Sequence, residues 1–559
     1  MKRKLFLLIS ITLVLVIGLG ACSSNNNDDK EKETKEETFN PEPNPDATQV
    51  SSYNDEQMEE QAEMDADLLA EYEEDDYTVM NPFVKLDPYD ASPLSALVMF
   101  DTKEPVSVEV KTGTEKYEET ITKEWEKGET EHAIPILGLY PGVENKVEIT
   151  VTNETGNTTT SEITIETDDL PDDFMETTLV DAHKESMEDG LTYIVPTSGY
   201  LYAVDANADV RWYSSKRSRV IFTHLDEGRY LQATRKDDEE LYNELLELDM
   251  LGKLHNAYNI DIEGYTGDNN SLIHHEVVEL PNNNLLATLH EPNSKYIEDH
   301  TVEIDRETGE TTQEINLRDV MPEDAPDDYD AKNAEENDWI HHNALWFDES
   351  DESILVSARS QDVILKISYP DGELEWILGA DEKWPDNYKK YLLEPKGDVK
   401  FPAGQHAMKI VDNPEFEDHP ELKDIILFDN NEVFIRGDRD ESEEYSQAIR
   451  YTVNEEDMTI EETWNYGKDR GKEFYSHIIG NVQYLYDQDN IILNSGATED
   501  DASPTGTTGR IIEVDANDPD SGEIFELEVR GKEEDSVEYT YRTWRFPLYP
   551  EGEWDFTVK

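Results

Sequence analysis

The chain has 559 residues, with 131 Asp and Glu against 47 Lys and Arg, a formal net charge of -84. A surface of that sign repels nucleic acid and anionic headgroups, which argues against a DNA or RNA partner and makes buried cationic groups informative. Cys22 is the one cysteine, so no intramolecular disulfide can form and the fold rests on its apolar core.

In chain order, residues 1–21 open the stretch "MKRKLFLLISITLVLVIGLGAC", a basic start, an apolar run and small residues before Cys22. This pattern is a secretory signal rather than a domain. Its ending "LGAC" resembles a bacterial lipobox, which implies lipidation of Cys22 and a protein tethered outside the cytoplasmic membrane. Residues 22–78 are polar and acidic with few apolar anchors, and predict a flexible tether in which only a short helix around "EEQAEMDADLLAEYEE" fits.

From 79 to 172, alternating runs such as "SVEVKTG" and "NKVEITVTNETGNTTTSEITIET" predict strands joined by Gly, Asn and Pro turns. The stretch "LGLYPGVENKVEITV" resembles the strand corner of fibronectin-type folds, so a small supporting β-sandwich is expected. Residues 173–559 repeat loosely about six times as strand, Asn/Asp/Gly turn and strand, often with an outer strand carrying tryptophan. The expected fold class is all-β, a six-bladed β-propeller preceded by the sandwich.

Several repeats begin at a histidine: His274 and His275, His341 and His342, His406, and His477. In a propeller the starts of the innermost strands converge on one channel, and the segments "WIHHNALWF" and "SARSQ" would bring Asn343 and Arg359 there as well. Strand alternation turns His342 away from that channel. Zinc could take three histidines, but the chain has no HExxH pair, and it also lacks a GxSxG serine, a Cys pair and a phosphate-binding glycine loop. Imidazoles with a guanidinium and an amide suit an anionic tetrahedral group, because arginine forks two donors onto two oxygens while imidazole can donate, accept or attack.

The chain resembles the bacterial arylsulfate sulfotransferases over about 80–559. The matching residues are "DWIHHN" in a D-W-x-H-x-N pattern, "SARSQ" in an S-x-R-x-Q pattern, "HHEVVELPNNNLL", "GQHAMKI", "EWILG" and "WPDNYKKYLLEP". The resemblance implies a propeller with an N-terminal sandwich, and a ping-pong transfer of a sulfuryl group from an aryl sulfate to a phenolic acceptor without a nucleotide donor. It implies His406 as the nucleophile that becomes sulfohistidine and His341 as general acid and base. Arg359, Asn343 and His275 are implied as stabilisers of the sulfuryl oxygens, His275 being preferred to His274 for its place before an acidic residue. No cofactor or metal is implied. Asn283 or Asn284 replaces the glycine of the family's turn, and Ala407 stands where an acidic residue often follows the histidine.

Two other readings remain open on the sequence: a non-catalytic propeller lipoprotein that binds an anionic ligand, and a quinone-dependent dehydrogenase propeller, whose tryptophan-docking repeats are not evident. The oligomeric state is open too, a homodimer included.

Overall fold

Residues 39–559 are described by a computed structural model, apart from 118, 226–227, 236–240, 263–270, 291–295, 328–337, 438–443, 533–538, 551–555 and 559. The signal segment, Cys22 and the start of the expected tether lie outside the described residues.

Among the described residues the repeats fold as six sheets of four or five strands, antiparallel but for the parallel edge strand Glu394–Pro395, and neighbours in each are mostly consecutive in sequence. Their innermost strands are Phe222–Leu225, Ile273–Glu279, His342–Asp348, His406–Ile410, Asn481–Leu485 and Thr540–Phe546. Successive inner strands lie against one another in that order. The circle closes where the Phe546 ring stacks on Phe222 at 5.8 Å between centroids. The six sheets thus follow one another in a closed order, and the fold is all-β. The strands read as near-continuous apolar runs because each sheet is packed on both faces, as in Leu191–Pro196 and Ser353–Ala358, where every residue is buried.

Closure joins the two ends of the region. Thr540–Phe546 pairs antiparallel with Leu191–Pro196 and supplies the innermost strand of the first sheet. Outer edges are covered by strands from elsewhere in the chain: Ser51–Tyr53 on Leu254–Ile260, Glu176–Ala182 on Glu523–Arg530, and Glu394–Pro395 on Thr459–Tyr466. Capping an edge removes a row of open hydrogen-bonding groups that would otherwise template association.

The N-terminal unit is built on one long strand, Ala96–Gly113. Its first half pairs with Phe83–Leu86, its second half with Glu144–Asn153, and both halves with Ile121–Ile136. Thr158–Glu166 completes this five-stranded sheet.

The expected tether is corrected from residue 39 onward. Phe39 packs its ring against Phe347 at 5.1 Å, and Asp55–Tyr72 is a helix of 18 residues. Asn54 caps it by accepting the Gln57 N–H, and Asp55 and Glu56 favour its first turn. The helix is acidic on most faces, but Leu68 enters the main core and Gln61 accepts the backbone N–H of Leu254 at 3.0 Å. Lys253 meets Asp65 at 3.0 Å. Specific partners order a segment that composition alone assigns to disorder.

Candidate active site

The inner strands do not begin regularly. His275, His341, Ala407 and Ile479 have φ of 59°, 48°, 52° and 55°. Register shifts interrupt pairing at Ile273/Val277, His342/Ala344, His406/Lys409 and Thr540/Arg542. Such irregularities re-aim side chains at a strand end, and a left-handed residue other than glycine costs about 1–3 kcal/mol that surrounding packing must offset. The starts that carry His275, His341 and His406, on three of the sheets, are thus held against local preference.

His406 is buried and its two ring nitrogens differ. Nδ1 lies 2.6 Å from Asn430 Oδ1 and 3.1 Å from the Gly404 carbonyl. The Asn430 amide nitrogen donates to the carbonyls of Ser476 and Ile479, both at 2.8 Å, so the oxygen must be the atom facing His406. Two acceptors at Nδ1 require the proton there, which leaves the lone pair on Nε2. Nε2 is buried and has no hydrogen-bond partner. Burial, together with the Arg359 and His341 charges, pushes His406 well below the usual imidazole range, so the ring is neutral.

His341 has the opposite character. Burial opposes its charge, but the Asp338 and Glu298 carboxylates outweigh that effect and raise it to about 9. Its Nδ1 donates to Asp338 and lies 2.8 Å from Glu298 Oε2. The second oxygen contact of Glu298 is His275 Nε2, at 3.1 Å, and the His275 and His341 rings are 4.7 Å apart. Burial lowers His275 to about 4, so its neutral ring donates from Nε2 to Glu298 while Nδ1 accepts from the Tyr541 hydroxyl at 2.7 Å. Glu298 is fixed at both ends of its backbone. Its N–H donates to His290 Nδ1 at 3.1 Å and its carbonyl accepts from His342 N at 3.0 Å.

Arg359 follows strand Ser353–Ala358 and opens the 3₁₀ turn Arg359–Gln361. Its backbone N–H donates to the His341 carbonyl at 3.2 Å, which sets the two side chains on adjacent strands of one sheet. The guanidinium lies 4.3 Å from the Phe434 ring centroid. Asp362 holds that ring's loop by accepting the N–H groups of Phe434, Arg436 and Gly437 at 2.7–3.1 Å. The other letters of the two motifs are structural. Gln361 donates to the Trp339 carbonyl at 2.6 Å, and the Trp339 indole donates to Asp299 at 2.8 Å.

The sequence expectations therefore meet the structure unevenly. His406, His341, Arg359 and His275 converge. His275, not His274, faces Tyr541, Glu298 and His341; His274 is buried against His275 and His290. Both His275 nitrogens are engaged by protein, one by Tyr541 and the other by Glu298. Asn343 is fully buried and donates to the Gln405 carbonyl at 2.8 Å, which clamps the backbone just before His406. His342 turns away from the axis, fully buried, with Nδ1 3.3 Å from the Thr301 hydroxyl of the preceding sheet. His477 is exposed and outside the cluster, a correction to its expected place at an inner-strand start. Asn283 adopts φ 65° in the turn where the family carries glycine.

Glu298, Tyr541 and Asn430 were not legible as site residues. Glu298 sits in "YIEDH" among 131 carboxylates, with no spacing that singles it out. As for metal ligands, one atom each from His274, His275 and Glu298 lie within 4.8 Å of one another, as do atoms of Glu298, Asp338 and His341. The shared Glu298 already bridges two imidazoles, one of them cationic, an arrangement suited to holding a proton.

An all-β ring that presents a neutral imidazole with an open nitrogen, a buried imidazolium and an arginine has the form of a transferase for an anionic group. The family described as Arylsulfotransferase (ASST) matches residues 176–542, and the Arylsulfotransferase Ig-like domain matches residues 83–168. The chain belongs to the arylsulfotransferase family of enzymes. It is 30% identical over 189 residues to Arylsulfate sulfotransferase AssT of Lelliottia amnigena, a match spanning 32% of this chain and 31% of that one. It is 22% identical over 550 residues to Arylsulfate sulfotransferase AssT of Escherichia coli O6:H1, covering 80% of this chain and 88% of that one.

Proposed function

We propose that the protein moves a sulfuryl group from an aryl sulfate to a phenolic acceptor in two steps through a sulfohistidine at His406. The observation that carries this reading is the fixed tautomer of His406, with Nδ1–H committed to Asn430 and Gly404 and Nε2 open. In the first step the Nε2 lone pair attacks sulfur and the bond from sulfur to the aryl oxygen breaks. The departing phenolate takes its proton from His341. In the second step an acceptor phenol loses its proton to His341, its oxygen attacks sulfur, and the N–S bond returns its electrons to Nε2.

His341 near pH 9 suits both transfers, because a phenol titrates near 10 and the proton then moves with little driving force either way. Arg359 would offer paired donors to the sulfuryl oxygens as charge develops. Asn343 and His275 would act mainly by holding the His406 strand and the Glu298 carboxylate.

Residues 173–559 are assigned to catalysis and 79–172 to support. The signal-like start and Cys22 support an extracytoplasmic lipoprotein; Cys22→Ala should release active protein from the membrane fraction. Incubation with p-nitrophenyl sulfate, with and without phenol, tests the activity. Acceptor-dependent release of p-nitrophenol supports the reading. Release that ignores the acceptor, or none at all, contradicts it.

A further inference from the structure

The inner strands carry a second convergence, three to five residues beyond the first and roughly 10 Å or more further along the strands. Where His275, His341, His406 and Tyr541 lie at one level, Val278, Trp346, Lys409 and Trp544 follow on the same four strands. They line a cavity of about 390 Å³ together with Phe222, Phe546 and three glutamates, Glu276 and Glu279, which are paired with Arg542 and Arg306, and Glu349. That size falls within the roughly 300–1,000 Å³ usual for small-molecule sites. A buried ion pair lies between the levels: Arg542 donates to Glu276 at 2.6 Å and to the Asn343 carbonyl at 3.1 Å.

Lys409 is the notable group. Its ammonium lies 3.8 Å from the Trp544 ring centroid and 5.2 Å from that of Trp346. Among the described residues its ammonium makes no ion pair or side-chain hydrogen bond, and the charges that act on it are those of Glu276 and Arg542. The carboxylate nearest to it in effect, Glu276, is already paired with Arg542, so the ammonium is left open to an anion from outside. Burial lowers it to about 8, against the Glu276 charge, so it remains largely cationic at neutral pH and gains from an added negative neighbour. The flanking indoles and Phe546 offer flat apolar faces to a ring.

We propose that this cavity is a second ligand site, separate from the His406 cluster, which takes a small aromatic anion with its ring against Trp346, Trp544 or Phe546 and its charge on Lys409. The site does not depend on the transfer chemistry. The shared chemistry, one or two rings with a single sulfate, sulfonate or carboxylate, covers both the enzyme's own aryl sulfates and unrelated aromatic acids.

The test uses the full chain and 2-naphthalenesulfonate, whose carbon–sulfur bond cannot donate a sulfuryl group, followed by tryptophan fluorescence and calorimetry. Saturable binding should persist in His406→Ala and weaken about tenfold or more in Lys409→Met, which keeps an apolar stem of similar length. Lys409→Arg should restore it, and neither Lys409 variant should change turnover of p-nitrophenyl sulfate at the His406 site. In His406→Ala, competition by p-nitrophenyl sulfate assigns the site to aryl sulfates, while competition by benzoate alone assigns it to aromatic acids. Unaltered binding in Lys409→Met, loss confined to Arg359→Lys, or no saturable binding to the unmodified protein overturns the proposal.

Discussion

The opposite characters of two imidazoles are made by their neighbours. His406 is neutral because it is buried beside Arg359 and an imidazolium, and His341 is cationic because two carboxylates share its Nδ1. The donor half-reaction needs His341 protonated, a state held below about pH 9 and lost as pH rises through that value. Its rate with phenyl sulfate, whose leaving phenolate needs that proton, should therefore fall on an alkaline limb near 9. Glu298→Gln removes one of the carboxylates that raise His341, so the limb should move to lower pH; an unmoved limb would detach Glu298 from the acid. Arg359→Lys keeps the charge but not the planar fork. Loss of a donor aimed at developing charge typically costs about 10²–10³ in rate, so kcat should fall by that order with the melting temperature nearly unchanged. A variant within a few-fold of the parent would remove Arg359 from the transition state.

At the scale of elements, the histidine-led repeats were legible because inner strands recur with similar turns, and a histidine at the start of several of them is rare in so acidic a chain. His477 shows the limit of that pattern, since it precedes its strand and its side chain stays exposed. Tyr541 escaped notice because it belongs to a strand from the far end of the chain that completes the first sheet. The helix Asp55–Tyr72 was hidden by its acidity, although Leu68, Gln61 and Asp65 find partners in the main body. The closing strand is also where packing is least forgiving. A Cβ on Gly496 would come 2.0 Å from the Thr540 carbonyl oxygen, so Gly496→Ala must push the closing strand away. The expected cost is about 1–3 kcal/mol, seen as a lower melting temperature and an earlier denaturant midpoint. An unchanged midpoint would show that Thr540–Phe546 yields without loss.

Over the whole molecule, the formal charge of -84 works against compactness, because like charges repel across the surface. Screening shortens that repulsion to about 10 Å at 0.1 M salt. The melting temperature should accordingly rise as sodium chloride is added from low ionic strength. A falling melting temperature would mean that attractive surface pairs, such as Lys85 with Glu71 at 2.8 Å, outweigh the repulsion. The all-β class could be read from alternation and turns alone. The carboxylates that govern the site could not, because composition supplies many and only the fold selects Glu298 and Asp338.

The most direct measurement asks where the sulfuryl group rests between donor and acceptor. The full chain mixed with p-nitrophenyl sulfate alone, quenched under alkaline conditions that preserve an N–S bond and digested, should yield one peptide carrying a single added sulfuryl mass, placed by fragmentation on His406. The modification should disappear when phenol is added before quenching and should never form in His406→Ala. Unmodified His406 in a protein that turns over with phenol, or the sulfuryl group on another residue, would contradict the account.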